Sequence, residues 1–433
     1  MFRRNQMLKR YLLLICCASL FAFNSCFAWN STGHMMIAQI AYDNLTAVTK
    51  NKVGALLNQP LNFPSADSKA LRLQSTESLD NFLLASVWPD AIKKDNWENP
   101  KEKVIYAALH ILNVNTDITD REDCSHPQTS WIEKTKDSIA DQYAKKTGDV
   151  VSGIESSIKT LQTSNESETN KGVALRHLIH LVGDIHQPYH LSDFTFKYFY
   201  LFSVKTYGAN YITTPEITIP NYEPDSDKPS KHKKIYNWHA LWDAGVGIYE
   251  NIPDPAKIEE WNNDWSPKNR AKYLAYVKQQ ADSIKESVCQ VDTMCQQKAL
   301  YQVKEINQST STYVSATDWA ANGSEEGCKL LDPDTYGFTL REPSIIELSK
   351  LKLKILQQYL EVKPSNDFDV DGYKQSVEET VKMYIITAGH KLADLLNAIY
   401  DPDNTTFEYN KYLEEIEENS DIYPLAQYIQ SLL

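Results

Sequence analysis

The sequence predicts a mostly α-helical protein with one large domain behind a short leader. Apolar residues recur at three- and four-residue spacing, which buries one face of an α-helix. Boundary signals agree with this pattern, because Asp149 can cap a helix starting at Val150, and Ser344 with Glu347 forms a capping-box pattern. The predicted helices cover residues 35–45, 132–143, 150–161, 173–182, 270–287, 345–360 and 377–400.

Residues 1–28 have the features of a secretory signal peptide. A basic start is followed by an apolar run from Tyr11 to Phe23 and a small residue, Ala28. This run is shorter than the roughly 20 apolar residues that a membrane span needs. We therefore expect a secreted or periplasmic chain that begins at Trp29 and has no stable membrane partner; a lipid anchor on Cys26 is the less favoured alternative.

Two stretches of the predicted domain, residues 29–433, depart from the helical pattern. Residues 193–236 carry alternating aromatics, then Gly208-Ala209-Asn210 and a segment rich in Pro, Asp and Lys, which predicts a β-hairpin or a long loop. Residues 250–312 are polar and largely helical. We interpret both stretches as insertions in a single-domain multi-helix fold.

Four of the seven cysteines lie outside the leader, namely Cys124, Cys289, Cys295 and Cys328. An even number in an oxidising compartment predicts two disulfides. Cys289 and Cys295 are close enough for a local loop, which would leave Cys124 with Cys328. The sequence allows three pairings.

The formal net charge of −13 argues against a broad basic surface for nucleic acid. Several zinc ions in one cleft would nevertheless make that cleft locally positive and attractive to phosphate. The net charge therefore leaves the substrate class open.

Two imidazole and carboxylate pairs predict a metal site. His180 precedes Asp184 by four residues, His239 precedes Asp243 by four, and His190 follows the first pair closely. Residues at this spacing share one helix face, so each pair can direct nitrogen and oxygen ligands at one point. This mixture of ligands suits zinc.

Three further segments add candidate ligands. A new terminus at Trp29 would place an α-amino group, with an ordinary pKa of roughly 7.7 to 8.0, five residues before His34. A metal can displace the proton of such a group near neutrality. The segments Val-Trp-Pro-Asp-Ala-Ile-Lys at 87–93 and Leu-His-Ile-Leu-Asn at 109–113 follow.

In this order and spacing the segments resemble the S1/P1 nuclease family of secreted trinuclear zinc phosphodiesterases and 3′-nucleotidases. The resemblance covers residues 29–245 and returns at 318–328 and 387–397. It implies three Zn²⁺ ions, of which the first two share Asp184. The first ion would be held by Asp90, His110, His180 and Asp184, the second by Trp29, His34 and Asp184, and the third by His190, His239 and Asp243. Pro188 would end the helix of His180 and let His190 face a different ion.

The resemblance also implies the chemistry. A hydroxide shared by two zinc ions would attack phosphorus, with Asp90 as a catalytic ligand and Lys93 neutralising charge on the scissile phosphate. Single-stranded DNA or RNA would be cleaved to 5′-mononucleotides, and 3′-nucleotides would be further substrates of what we expect to be a monomer. Asn113 and Asn210 are the other expected substrate-binding residues.

The remaining histidines and the tryptophans beside the motifs have simpler interpretations. We expect surface, core or supporting roles for His126, His177, His186, His232 and His390. We expect core packing for Trp88, Trp238 and Trp242.

Two other functions compete with the nuclease. Zinc-dependent phospholipase C enzymes share a terminal Trp ligand, three zinc ions and a helical core, although their ligand spacing differs. A secreted zinc-binding protein without catalysis would take up the metal but cleave no phosphodiester.

Overall fold

The computed structural model describes residues 29–60, 75, 77–93, 106–112, 114–117, 148–198, 202–205, 209, 213–222, 232–253, 267–289, 315–330, 370–405 and 407–418. The leader, the predicted helices at 132–143 and 345–360, and the four cysteine side chains lie outside what is described. The two predicted disulfides therefore stay predictions.

The described part of the chain is mostly helical, as predicted. Its α-helices are α1 (Ser31–Asn44), α2 (Ala47–Leu57), α3 (Ser78–Ala85), α4 (Trp88–Lys93), α5 (Val150–Gln162), α6 (Glu168–Asp184), α7 (Pro188–Leu191), α8 (Trp238–Asp243), α9 (Pro267–Cys289), α10 (Ala316–Lys329), α11 (Val370–Tyr400) and α12 (Phe407–Glu418). The strands are β1 (Val114–Asp117), β2 (Ser192–Tyr198), β3 (Phe202–Lys205), β4 (Thr213–Pro220) and β5 (His232–Asn237). None of the helices described is long and apolar enough to cross a membrane.

Helix capping explains where α1 and α5 begin. Asn30 precedes α1, and its side-chain oxygen accepts a hydrogen bond from the Gly33 N–H at 3.0 Å. Asp149 caps α5 in the predicted place, accepting from the Ser152 N–H at 2.8 Å. Such caps satisfy backbone donors that the first helical turn leaves open. The helix of His34 thus starts four residues before the apolar pattern that predicts it.

The end of α6 differs from the prediction. The helix ends at Asp184, and Pro188 is the first residue of the next helix, α7. Proline suits this position, because its fixed φ matches the helix and the first helical turn needs no N–H from it. The idea that Pro188 ends the helix of His180 was wrong. Pro188 instead begins the short helix that carries His190.

The core lies between α1, α6 and α11. Helix α1 packs along α11, and α6 packs against α5. A Cβ atom on Gly389 of α11 would lie 2.6 Å from Ile40 of α1, so the glycine permits close approach of these two helices. The metal-ligand candidates of α1 and α6 lie on buried helices of this core.

The β structure lies where the aromatic stretch predicts it, and extends further. Strands β2 and β3 form the predicted hairpin, and β4 pairs antiparallel with β5. Strand β1 pairs parallel to β2, with Val114 opposite Ser192. The sequence Val-Asn-Thr-Asp has too little alternation to predict a strand by itself. This pairing joins the chain just after His110 to the chain just after His190.

Candidate metal centre

Three buried groups of histidine and aspartate side chains lie where α1, α4, α6, α7 and α8 converge. Within each group the potential ligand atoms lie within 4.8 Å of one another. The groups are His34, His180 and Asp184; Asp90, His110 and His180; and His190, His239 and Asp243. The first two groups share His180, whereas the third is separate.

Asp184 lies at the centre of the first two groups. Its Oδ1 is 3.3 Å from His34 Nε2, and its Oδ2 is 3.2 Å from His180 Nε2. The same Oδ2 is 3.0 Å from His110 Nδ1, which itself lies 2.9 Å from His180 Nε2. Ring nitrogens that both present lone pairs repel at this distance unless a proton or a cation lies between them. The convergence is the one expected of ligands around a shared ion.

Backbone carbonyls orient the ring nitrogens. His180 Nδ1 donates to the carbonyl oxygen of Ser86 at 2.6 Å, so its Nε2 faces Asp184. His190 Nδ1 lies 2.7 Å from the carbonyl oxygen of His110, so its Nε2 faces the third group. A hydrogen bond of this kind sets the tautomer and the direction of a ligating histidine.

Close packing brings His34 against α6. Its ring stacks on that of His180, with centroids 4.0 Å apart and planes 18° apart. A Cβ atom on Gly183 would lie 2.7 Å from His34 Nδ1, so only glycine leaves room for this ring. The glycine before Asp184 is therefore part of the site.

The third group forms around Asp243. Its Oδ1 lies 3.8 Å from His190 Nε2 and 3.6 Å from His239 Nε2. Gln187 donates to the same oxygen at 2.7 Å. Asn237 caps α8 by accepting from the Ala240 N–H, and so sets where the turn bearing His239 and Asp243 begins.

The protonation states of His34, His110 and Asp184 suit metal binding. Burial, with the nearby His180, lowers the pKa of His34 to about 4, and burial with Lys93 lowers the pKa of His110 to about 3. Burial alone would raise the pKa of Asp184, but contacts with three histidines hold it well below its ordinary value. Neutral imidazoles and an ionised carboxylate are the forms that bind metals. Burial alone would lower the pKa of His180, but Asp184 and Asp90 raise it, so a metal must displace the proton from its Nε2.

Asp243 shows the opposite shift. Burial raises its pKa well above the ordinary value, and the hydrogen bond from Gln187 offsets this only in part. A cation bound beside this carboxylate would favour its ionised form. Lys233 and Lys93 also lower the pKa of Asp243, but among the described residues they do not outweigh its burial.

The donor set fits zinc. Both ring nitrogens of His34 and Asp184 Oδ1 are buried without a hydrogen bond among the described residues. Burying such atoms unsatisfied is costly, and a metal ion would compensate for that cost. Imidazole nitrogens with carboxylate oxygens are common zinc ligands.

Hydrogen bonds hold the segment from Trp29 to Thr32 beside the third group. Trp29 is fully buried, and the Asn30 N–H donates to the carbonyl oxygen of Asp243 at 2.6 Å. The Asn30 side chain donates to Asn251, and Thr32 Oγ1 accepts from the Ile252 N–H at 2.9 Å. These contacts bring the segment before His34 to the metal centre.

Lys93 lies within the second group rather than in solvent. Its Nζ is 2.6 Å from Asp90 Oδ1, and the residue is only 4% exposed. Asp90 Oδ1 lies 4.0 Å from His180 Nε2. The other two predicted substrate-binding residues, Asn113 and Asn210, lie outside the described residues, as do the side chains of the aromatics at 194–202.

The remaining histidines and tryptophans lie largely as expected. Trp88, Trp238 and Trp242 are buried and belong to the hydrophobic core, as expected. His186 lies outside the three groups, with its Nδ1 2.7 Å from the Val182 carbonyl oxygen and its ring near Trp319. His126 and the side chain of His232 are outside the described residues.

Several residues that contact the ligands escaped the motif analysis. Ser86 acts through its carbonyl oxygen, which no sequence signal reveals. Gln187 stands between two predicted ligands and was a recognisable candidate on that ground. Lys233 is exposed but close enough to counteract the rise in the pKa of Asp243. Tyr106 contacts three ligand-bearing segments, through Pro89, His177 and the ring of His110.

His186 should make stability depend on pH. Burial, with Lys391 nearby, lowers its pKa to about 3 from 6.5. The unfolded chain therefore binds more protons between these values, so stability falls as pH falls below 6.5. Between pH 7.5 and 5, the free energy of unfolding of the metal-free protein should fall by about 2 kcal/mol more than that of the His186→Gln variant. Urea unfolding at both pH values measures this, and equal losses would contradict it.

Comparison with known proteins agrees with this geometry. The family model described as S1/P1 Nuclease matches residues 29–401. No curated protein matches the chain. The matched range includes every ligand candidate of the three groups. The chain belongs to the S1/P1 nuclease family.

Proposed function

We propose that this protein is a secreted or periplasmic, monomeric, zinc-dependent phosphodiesterase. It cleaves single-stranded DNA and RNA to 5′-mononucleotides and also acts as a 3′-nucleotidase. The observation that carries the proposal is the buried Asp184 carboxylate shared by three histidines, beside the separate group of His190, His239 and Asp243. Family membership supports the nuclease class.

Three Zn²⁺ ions are proposed for these groups. The assignment is Asp90, His110, His180 and Asp184 for the first ion, the Trp29 amine and carbonyl with His34 and Asp184 for the second, and His190, His239 and Asp243 for the third. The contacts of both Asp184 oxygens support its role as a shared ligand. The anchoring of Asn30 to Asp243 supports a role for the preceding residue, Trp29.

When bound, zinc would supply the ionised water that attacks phosphorus and would stabilise charge on the phosphate oxygens. The side chains of the protein hold the substrate and the ligands in place. Asp184 keeps the first two groups together, and Lys93 presents a buried ammonium beside Asp90. We propose that this ammonium contacts a phosphate oxygen of a substrate held by the same group.

The function can be tested with one zinc-loaded sample of the mature chain. Single-stranded DNA, RNA, a 3′-nucleotide and phosphatidylcholine vesicles are offered separately, and zinc content is measured on the same sample. We expect three zinc equivalents, 5′-mononucleotides from both nucleic acids and nucleoside from the 3′-nucleotide. Lipid hydrolysis without nucleic-acid cleavage would assign the phospholipase activity instead. Zinc uptake without any cleavage would indicate a binding protein.

Lys93→Met should lower kcat about 100-fold while the zinc content stays unchanged. The substitution removes one charge that stabilises the reacting phosphate. Removing one such stabilising group typically lowers kcat about 100- to 1,000-fold. The ammonium contacts Asp90 at 2.6 Å, so the two possible roles must be separated. Zinc content and single-stranded DNA cleavage are measured on the same preparation. Loss of zinc together with activity would show that Lys93 acts only through Asp90.

A further inference from the structure

Tyr106 contacts all three segments that carry the ligands of the Asp90, His110 and His180 group. Its hydroxyl oxygen is 3.0 Å from His177 Nε2, one turn before His180 on α6. The same hydroxyl is 3.3 Å from the carbonyl oxygen of Pro89, the residue before Asp90. Tyr106 itself lies one turn before His110, and its carbonyl oxygen accepts from the Leu109 N–H at 3.2 Å.

The directions of these hydrogen bonds follow from the partners. His177 Nδ1 lies 2.9 Å from the carbonyl oxygen of Val173, which can only accept, so the proton is on Nδ1. Burial lowers the pKa of His177 to about 3, so the ring is neutral and its Nε2 accepts from Tyr106. The Pro89 carbonyl oxygen is a second acceptor for the same hydroxyl. One donor thus links α6 to the start of α4.

Ring packing extends the contact to His110. The Tyr106 ring meets the His110 ring edge to face, with centroids 5.6 Å apart and planes 70° apart. On the other side, the His177 and Trp88 rings pack in a T-shaped arrangement with centroids 5.4 Å apart. The Arg176 guanidinium lies 5.7 Å from the Trp88 ring centroid. Tyr106, His177 and Trp88 are all buried. Packing against one another and against the described residues around them therefore restricts their positions.

Neither Tyr106 nor His177 belongs to a ligand group. His177 Nδ1 is engaged by Val173 and its Nε2 by Tyr106, so neither ring nitrogen is directed at Asp184. The pair contacts the ligands through the backbone before Asp90, the ring of His110 and the helical turn before His180. Such contacts restrict where three ligand atoms from distant parts of the sequence can lie.

We propose that the Tyr106–His177 hydrogen bond positions the Asp90, His110 and His180 group and sets its affinity for zinc. Both are positioning residues, and this inference rests on the proposed zinc site. Because supporting hydrogen bonds around metal ligands are commonly worth about 10- to 100-fold in affinity, the effect is measurable in zinc binding alone.

The test measures zinc binding to the metal-free mature protein by competition with a chromophoric chelator. In Tyr106→Phe we expect one zinc equivalent to bind about 10- to 100-fold more weakly and the others to bind as before. His177→Phe should weaken the same equivalent. The double variant should bind this zinc equivalent no more weakly than the more strongly affected single variant does, because both substitutions remove the same hydrogen bond.

Tyr42→Phe is the matched control. Its hydroxyl hydrogen-bonds Ser78 at 3.2 Å and has no hydrogen bond to a ligand candidate among the described residues, so removing it should leave all zinc affinities unchanged. Circular dichroism of each metal-free variant checks the fold. Wild-type affinity in folded Tyr106→Phe, or additive effects in the double variant, would overturn the positioning role. Absence of zinc binding by the wild-type protein would instead overturn the proposed function.

Discussion

Asp184→Asn should remove zinc from two of the three proposed sites and lower kcat/KM on single-stranded DNA about 100- to 10,000-fold. The two oxygens of Asp184 contact His34, His110 and His180 at 3.0 to 3.3 Å. Removing one partner of a buried charged interaction typically costs about 3 to 5 kcal/mol, and each 1.36 kcal/mol is tenfold in rate. The asparagine keeps the shape of the side chain and removes the charge.

Zinc content and initial rates on one preparation check this expectation. Asp43→Asn is the control, because the Asp43 carboxylate also has polar partners, Gln39 and Lys285, but is exposed at the surface. It should retain full zinc content and activity. An Asp184→Asn protein that keeps three zinc equivalents would exclude the shared-ligand role. Retained activity with lost zinc would exclude the catalytic role of that metal pair.

One extra residue before Trp29 should remove one zinc equivalent and lower activity at least about 100-fold, which corresponds to a loss of about 2.7 kcal/mol or more of transition-state stabilisation. The extension converts the proposed amine ligand into an amide, which binds metal poorly. The segment cannot move aside easily, because Trp29 is fully buried and Asn30 is hydrogen-bonded to Asp243 and Asn251.

Mass spectrometry of the mature terminus, zinc analysis and single-stranded DNA cleavage test this prediction. Trp29→Phe on the unextended chain is the matched control, since it keeps the amine and the carbonyl and changes only the indole. We expect that variant to retain three zinc equivalents. Full zinc content in the extended protein would show that the amine is not a ligand.

Much of the helical architecture was predictable from local signals. The cap at Asp149 is confirmed, and the predicted helix at 150–161 corresponds to α5. The helix of His34 begins earlier than its apolar pattern, because the cap at Asn30 and not hydrophobic spacing sets its start. Strand β1 was not predicted, since its four residues become a strand only by pairing with β2.

In the site, too, local sequence signals predicted some features and tertiary contacts decided the others. The residue types and the four-residue spacings of His180 with Asp184 and His239 with Asp243 already indicated nitrogen and oxygen ligands on two helix faces, because helix geometry is local. The family resemblance, confirmed by the family match, extended this to the other candidate ligands.

Only the tertiary structure decided which of these side chains meet, and what supports them. It placed Lys93 against Asp90, the Asn30 N–H against the carbonyl oxygen of Asp243, the Ser86 carbonyl oxygen against His180, and Tyr106 against His177. These contacts join positions far apart in the chain, and several use backbone atoms that every residue possesses. No spacing rule can reveal them, because packing between helices and not periodicity along one helix brings them together.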